Sequence, residues 1–323
     1  MTSAAGDPTG RVDESVRARP APALRPFIAW YSGYRQRGVP PALHRGLPSP
    51  YLTLILTLDE PLRLAAHPDP AQPPAGYRAL LGGLHTRPAL ITHDGRQSGV
   101  QIALSPLGAR ALLGLPAGEL AELDLPADDV LGRCAEEGRE RLRSAEDWPG
   151  RFAAVDQWLA GRLAAVPGPA PEVAEAWRLL LAGGGRPAAA ELAERVGWSG
   201  RHLAARFRTE IGLTPKAAAR VIRFDRARRL LAARTARTAA ASGAASAATP
   251  ATASEAAVRH GGGLGLAQLA VDCGYFDQAH LAREFRALAG CAPSRWLAAE
   301  GLAGSETSKA PPGRTAQAGG SPG

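Results

Sequence analysis

The segment HLAARFRTEIGLTP, residues 202–215, returns as HLAREFRALAGCAP at residues 280–293. A chain that writes nearly the same fourteen letters twice folds them twice, so its C-terminal half is built from two copies of one supersecondary unit. Extending the register outward, Leu192 aligns with Leu269, Gly197 with Gly274 and Trp198 with Tyr275 at a spacing of 77 residues. His202/His280, Phe207/Phe285, Gly212/Gly290 and Pro215/Pro293 stand 78 apart, so one extra residue falls at Phe276–Asp277. Each copy reads as a short helix, a turn opened by glycine and a second helix. Leu203 and Phe207, or Leu281 and Phe285, share one face of that second helix and lock it onto the first. The opposite face stays polar. This is the helix-turn-helix pattern, whose second helix enters the DNA major groove. One copy alone would read as a generic αα-hairpin; two copies, punctuated alike by Gly and Pro, favour DNA.

Charge points the same way. The 323 residues carry a formal net charge of +8. Residues 1–171 hold 18 basic and 18 acidic side chains, whereas residues 186–233 hold 11 basic and 4 acidic. A neutral half followed by a compact basic block calls for a polyanion, nucleic acid or an anionic membrane, with a solvated arginine-rich helix as the bland alternative. Cys134, Cys273 and Cys291 form no CxxC pair, which suits a reducing compartment rather than a disulfide scaffold. The N-terminal segment lacks the apolar core of a signal peptide, and no apolar run reaches the roughly 20 residues of a spanning helix. A soluble, cytoplasmic protein with no membrane partner is expected.

Residues 1–22 are polar with Gly and Pro and read as disordered. In YLTLILTL, residues 51–58, Leu52, Leu54, Leu56 and Leu58 face one way and Thr53 and Thr57 the other, the pattern of a half-buried strand. GVQIALSP repeats it with Val100, Ile102 and Leu104. Phe152, Val155, Leu159 and Leu163 lie at helical spacing behind Asp147 and Pro149, a cap and a first-turn proline. Residues 23–166 are thus predicted to form a β-rich domain closed by helices, and PGPAP at 167–171 a linker. Residues 172–299 are predicted all-helical: the first unit over about 187–212, a bridging helix over about 215–233 and the second unit over about 266–290. Residues 234–265 are nearly all Ala, Ser, Thr and Gly, with no large apolar side chain before Val258. They read as a flexible tether; the alternative is an alanine-rich helical extension at its start, limited by Gly243 and Pro250. Residues 300–323 read as a disordered tail. The fold class is α+β.

LAERVGWSGRHLAARFRTEIGLTPKAAARVIRFDRARRLL, followed by LAQLAVDCGYFDQAHLAREFRALAGCAPSRW, resembles the DNA-binding domain of AraC/XylS-type transcriptional regulators. The resemblance covers roughly residues 171–299. It implies operator DNA as partner, with RNA polymerase, a small-molecule effector and a second copy of the chain as further candidates. It also implies an N-terminal sensor domain, often cupin-like in such regulators. It places base contacts at Arg201, Ala204 and Ala205 in the first unit and at Gln278, Ala279 and Arg283 in the second. Arg pairs with guanine and Gln with adenine through two bonds each, while Ala offers at most a methyl contact to thymine. Arg206, Arg208 and Arg286, beside these faces, are expected on phosphate. The chain departs from the family twice: about thirty low-complexity residues separate the units, and two of the three first-unit positions are alanine.

No catalytic constellation competes. His44, His67, His85 and His93 are the metal candidates, but there is no HxH or HExxH and no suitably spaced acid. GxxxxGK[ST] and GxSxG are absent. Cys273 reads as core, and Cys134 has no sequence neighbour that would activate its thiol. No cofactor, no metal and no enzymatic activity are expected; the alternative is a catalytic β domain carried by a helical targeting module.

Overall fold

The computed structural model describes residues 11–246 and 265–303. The N-terminal half holds two sheets, all of whose pairings are antiparallel. The larger has the order β1 (Val12–Ala18), β2 (Ile28–Arg37), β9 (Arg96–Leu104), β4 (Leu52–Thr57), β7 (Ala79–Gly82), β10 (Asp124–Pro126). The smaller runs β3 (Ala42–Gly46), β8 (Ala89–His93), β5 (Leu62–Ala66), β6 (Ala75–Tyr77). Leu52, Leu54, Leu56, Val100, Ile102 and Leu104 are buried, as their alternation predicts. The expectation of a half-buried β4 fails, because Ile55 and Thr57 on its other face are only 7% and 2% exposed. The cause is a second layer: Ile55 joins Tyr34, Leu62, Leu64, Tyr77 and Leu80 in an apolar cluster drawn from both sheets. The large sheet therefore packs the small sheet on one face and helices on the other.

The first 22 residues are not uniformly disordered. Residues 12–18 form β1, paired with β2 from Val12–Arg37 through Ala18–Tyr31, and Pro22–Leu24 forms a 3-10 turn. The polar letters VDESVRA suit an edge strand. Val16 and Ala18 pack on the core, and the Trp148 indole donates to Glu14 at 3.1 Å. Backbone pairing orders this strand, and side-chain polarity does not report backbone pairing. Residues 1–10 lie outside the described residues.

The helices α1 (Ala109–Leu113), α2 (Asp128–Leu131), α3 (Cys134–Ser144) and α4 (Trp148–Ala160) close this half. Asp147 caps α4, accepting the Gly150 N–H at 2.8 Å as its position predicts. Then follow α5 (Pro171–Ala182), α6 (Ala189–Arg195), α7 (Gly200–Ile211), α8 (Pro215–Ser246), α9 (Leu266–Asp272), α10 (Gln278–Ala289) and α11 (Pro293–Ala303). Helix α8 runs to Ser246 rather than ending near 233, so the stretch read as a tether starts as helix. Alanine is the best helix former, and it propagates a helix already nucleated by the packed turns before it. An ion pair from Arg234 to Asp272 at 2.7 Å anchors this stretch to α9. Residues 247–264, the rest of the predicted tether, lie outside the described residues. Helix α11 likewise carries past 299 to Ala303, and residues 304–323 lie outside.

The two halves share one core. Leu112, Leu113, Ala117 and Leu120 belong to the same buried cluster as Leu203, Phe207 and Ile211. A Cβ on Gly118 would collide with the backbone carbonyls of Arg208 and Thr209, so the 3-10 turn Ala117–Leu120 abuts the end of α7. Beside it, Arg110 grips Glu210 with two bonds of 2.9 Å each. The Glu210 side chain is 5% exposed and that of Arg110 34%. Arg110→Met strands a buried carboxylate. We expect a loss of about 2 kcal/mol in unfolding free energy, below the cost of breaking a fully buried pair because Arg110 is partly solvated. The urea midpoint measures it. Arg110→Met/Glu210→Leu should recover most of the loss; an unchanged midpoint in the single variant would mean that water replaces the guanidinium.

Candidate nucleic-acid interface

Four residues, 196–199, separate α6 from α7, and five, 273–277, separate α9 from α10, so the extra residue of the repeat lies in the second turn. Gly197 and Gly274 take φ of 71° and 78°, the left-handed conformation each turn needs. The next residue in each unit, Trp198 or Tyr275, sets its ring edge-on against His202 at 4.5 Å or His280 at 5.3 Å. Ser199 caps α7 by accepting the His202 N–H at 3.3 Å, and Asp277 caps α10 by accepting that of His280 at 2.6 Å. Leu203, Phe207, Leu281 and Phe285 are buried, as the repeat predicts.

On α7, Arg201, Ala205 and Arg208 follow an i, i+4, i+7 line opposite the buried Leu203, Phe207 and Glu210, and all three are exposed. The matching line on α10 is Ala279, Arg283 and Arg286, also exposed. Gln278 is exposed at the first position of α10, and Arg206 is exposed on the flank of α7. Ala204 turns aside and is half-buried. The structure thus gathers the expected positions other than Ala204. It sets Arg208 and Arg286 in line with them rather than beside them.

The basic block divides in two. Arg220 donates to Glu284 at 2.8 Å and Arg223 lies 3.5 Å from the same carboxylate. Arg228 and Arg229 hold Asp225 at 2.5 and 2.9 Å, and Arg186 donates to the Asp272 carbonyl at 2.7 Å. These guanidiniums are scaffold. Arg195, Arg201, Arg206, Arg208 and Lys216 are exposed and make no ion pair among the described residues. Sequence reasoning missed Glu284, which stands where the first unit has Arg206; an acid at an otherwise basic repeat position was the available signal.

A second feature lies where the sheets meet the helices. A cavity of about 120 Å³ is lined by Tyr34, His44, Arg45 and Gln101 from the strand half and by Arg228 and Trp296 from α8 and α11. No acidic residue lines it. His44 Nδ1 and Trp296 Nε1 are buried with no hydrogen-bond partner among the described residues. Burial, and then the neighbouring His93 with its ring 5.5 Å away, pull the His44 pKa down to about 4. His67 has a different task. Its Nδ1 meets Asp124 at 2.9 Å, Tyr77 Oη lies 3.4 Å from its Nε2, and Gln72 bonds the Asp124 backbone at 2.8 and 3.1 Å. This buried chain pins β10 to the loop after β5. His85 turns to the Arg87 carbonyl at 2.5 Å. Among the described residues no three His, Cys, Asp or Glu side chains converge as a metal site.

Residues 16–126 match a family model described as a domain of unknown function, DUF6597. The match ends before the helical half. No curated protein matches the chain. Solved structures that match include ToxT from Vibrio cholerae O395, 12% identical with a TM-score of 0.45, covering 83% of this chain and 96% of that one. A second ToxT crystal form is 13% identical with a TM-score of 0.46, covering 83% and 97%. ToxT bound to an unsaturated fatty acid is 10% identical with a TM-score of 0.43, covering 83% and 94%. Among the described residues no helix is long and apolar enough to cross a membrane.

The depressed pKa of His44 has a measurable consequence. The unfolded chain takes up this proton near pH 6.5, and the folded chain resists it until about pH 4. The stabilisation is therefore complete above about pH 6.5 and is lost as pH falls through that window, by up to about 3 kcal/mol. His44→Leu should flatten this part of the stability profile in urea titrations between pH 4 and 7; a variant with the wild-type profile would assign the slope to other groups.

Proposed function

We propose that the chain is a sequence-specific DNA-binding transcription regulator of the AraC/XylS type, acting in the cytoplasm. The observation that carries this reading is the pair of matched outward lines, Arg201/Ala205/Arg208 and Ala279/Arg283/Arg286, each on a rigidly capped second helix and neither carrying an acid. Arg201, Arg283 and Gln278 have the reach to bond base edges in the major groove. Ala205 and Ala279 allow close approach, Ala204 borders it, and Arg206, Arg208 and Arg286 serve phosphates. The cavity between the halves suits a small-molecule effector. A ligand touching both the strands and α8 and α11 would favour one arrangement of the halves over another, and so bias DNA binding or contact with RNA polymerase. A second copy of the chain fits the same scheme through the β-rich half. The reading assigns the chain no chemical step.

In-vitro selection of bound DNA by the full chain tests the reading and supplies the site. With the exposed cations facing phosphates, affinity should fall steeply with salt, by roughly 0.9 log units per contact for each log unit of salt; a flat response contradicts it. Within the selected site, Arg283→Ala should cost about 1–3 kcal/mol and relax preference at one base pair. Arg286→Ala should weaken all sequences alike and shallow the salt slope by about one unit. Equal losses on every single-base variant for Arg283→Ala would make Arg283 a phosphate contact.

A further inference from the structure

The chain has six phenylalanines. Phe152, Phe207, Phe224 and Phe285 are buried, Phe27 is half-buried, and Phe276 is 90% exposed. A single exposed apolar residue needs no explanation by itself. Phe276, however, stands in the turn residue that the second unit has and the first lacks. Its backbone is held on both sides. Tyr275 is buried, with its N–H on the Ala270 carbonyl at 2.9 Å; the Phe276 N–H meets His280 Nδ1 at 3.3 Å; and Asp277 caps the helix. A fixed backbone therefore carries an exposed ring directly before the end of the helix that a helix-turn-helix presents to the groove.

The two outward lines differ at their first position. The first unit begins with Arg201, and the second begins with Ala279, three residues after Phe276. The second unit thus replaces a hydrogen-bonding side chain with an apolar pair. The major groove offers one apolar feature, the 5-methyl group of thymine, and an aromatic or methyl side chain is its match. A protein patch is the poorer fit, because the exposed Gln278 and Arg283 of the same helix would be desolvated there without the base-edge partners that DNA supplies.

We propose that Phe276 contacts DNA and reads a thymine methyl group at the edge of the second half-site. The inference rests on the DNA reading above. The test uses the full chain and its selected site, with thymines replaced one at a time by deoxyuridine, which removes only the methyl group. Wild-type protein should lose roughly fourfold in affinity at one position, the factor carried by burying one methyl group. Phe276→Ala should weaken binding to the parent site roughly tenfold and be indifferent to that exchange, and Phe276→Leu should retain part of the discrimination. Because the ring is exposed, the thermal midpoint of the variant should match wild type, which separates lost contact from lost fold. Phe276→Ala with wild-type affinity and an intact thymine preference overturns the proposal; if transcription then falls while binding holds, the ring meets a protein instead. A wild-type chain that prefers no sequence overturns the DNA reading itself, and Phe276 with it.

Discussion

Glu284 fixes how α10 sits. Its carboxylate is buried between Arg220 and Arg223, which come from α8, and the ring of Phe285 next to it meets Phe224 of α8 edge-on at 5.0 Å. The first unit also packs on the helices around α8, with Phe207 against Trp177 at 6.1 Å. The orientation of the two units is therefore set by one helix that touches both, and not by the chain that connects them. A connection can lengthen at small entropic cost provided the elements it joins have their own contacts. The low-complexity segment looks disruptive in a sequence of this kind, yet most contacts that hold the second unit lie upstream of it, at Arg186, Arg220, Arg223 and Phe224, and Arg234 at its start adds an ion pair to Asp272.

Burying charge to hold two helices together is costly, and an apolar pair of the same size often stabilises as well. What the carboxylate adds is direction: Oε1 accepts one hydrogen bond from Arg220, while Oε2 is buried 3.5 Å from Arg223 without a hydrogen bond, so the pair holds only where Arg220 meets it. The repeat makes the point by contrast. Where α7 carries the exposed Arg206, α10 carries the buried Glu284, while the Leu/Phe pairs behind both helices are the same. The apolar pairs build the unit, and the charged position decides whether its flank faces solvent or α8.

The parts of this fold legible in the sequence are those set by near neighbours along the chain. Gly197 and Gly274 reveal their turns because only glycine adopts a positive φ cheaply, and Leu203/Phe207 reveal a helix face because four residues make about one turn. Asp147 reveals a cap for the same reason. What escaped was set by partners distant in sequence. VDESVRA is polar, and it became a strand because β2 offered its edge. Ile55 and Thr57 are buried by a second sheet that no alternation in β4 announces. His67 resembles a stray metal candidate until Asp124, 57 residues away, is placed 2.9 Å from it. Glu284 reads as one acid among many until Arg220, 64 residues earlier, is laid across it. Of the residues expected at DNA, the exposed lines follow from helical spacing alone, whereas the sorting of arginines into scaffold and surface depended on where the acids were.

The same logic reaches α7 from its other end. Helix α7 finishes on Glu210 and Gly212, and both are met by the N-terminal half: Glu210 by Arg110, and Gly212 by Ala117 and Ala121. At the far side of the interface, Arg228 and Trp296 line the cavity together with β-strand residues. Among the described residues the strand half meets the helical half at the end of α7, at α8 and α11, and at Pro88 beside Gly290 at the end of α10. Each of these contacts ends on a helix that carries, or directly supports, one of the exposed lines. Close-packed interiors leave little room for one layer to move without its neighbours, so the ends of α7 and α10 and the supports α8 and α11 are held by the same packing that closes the strand half.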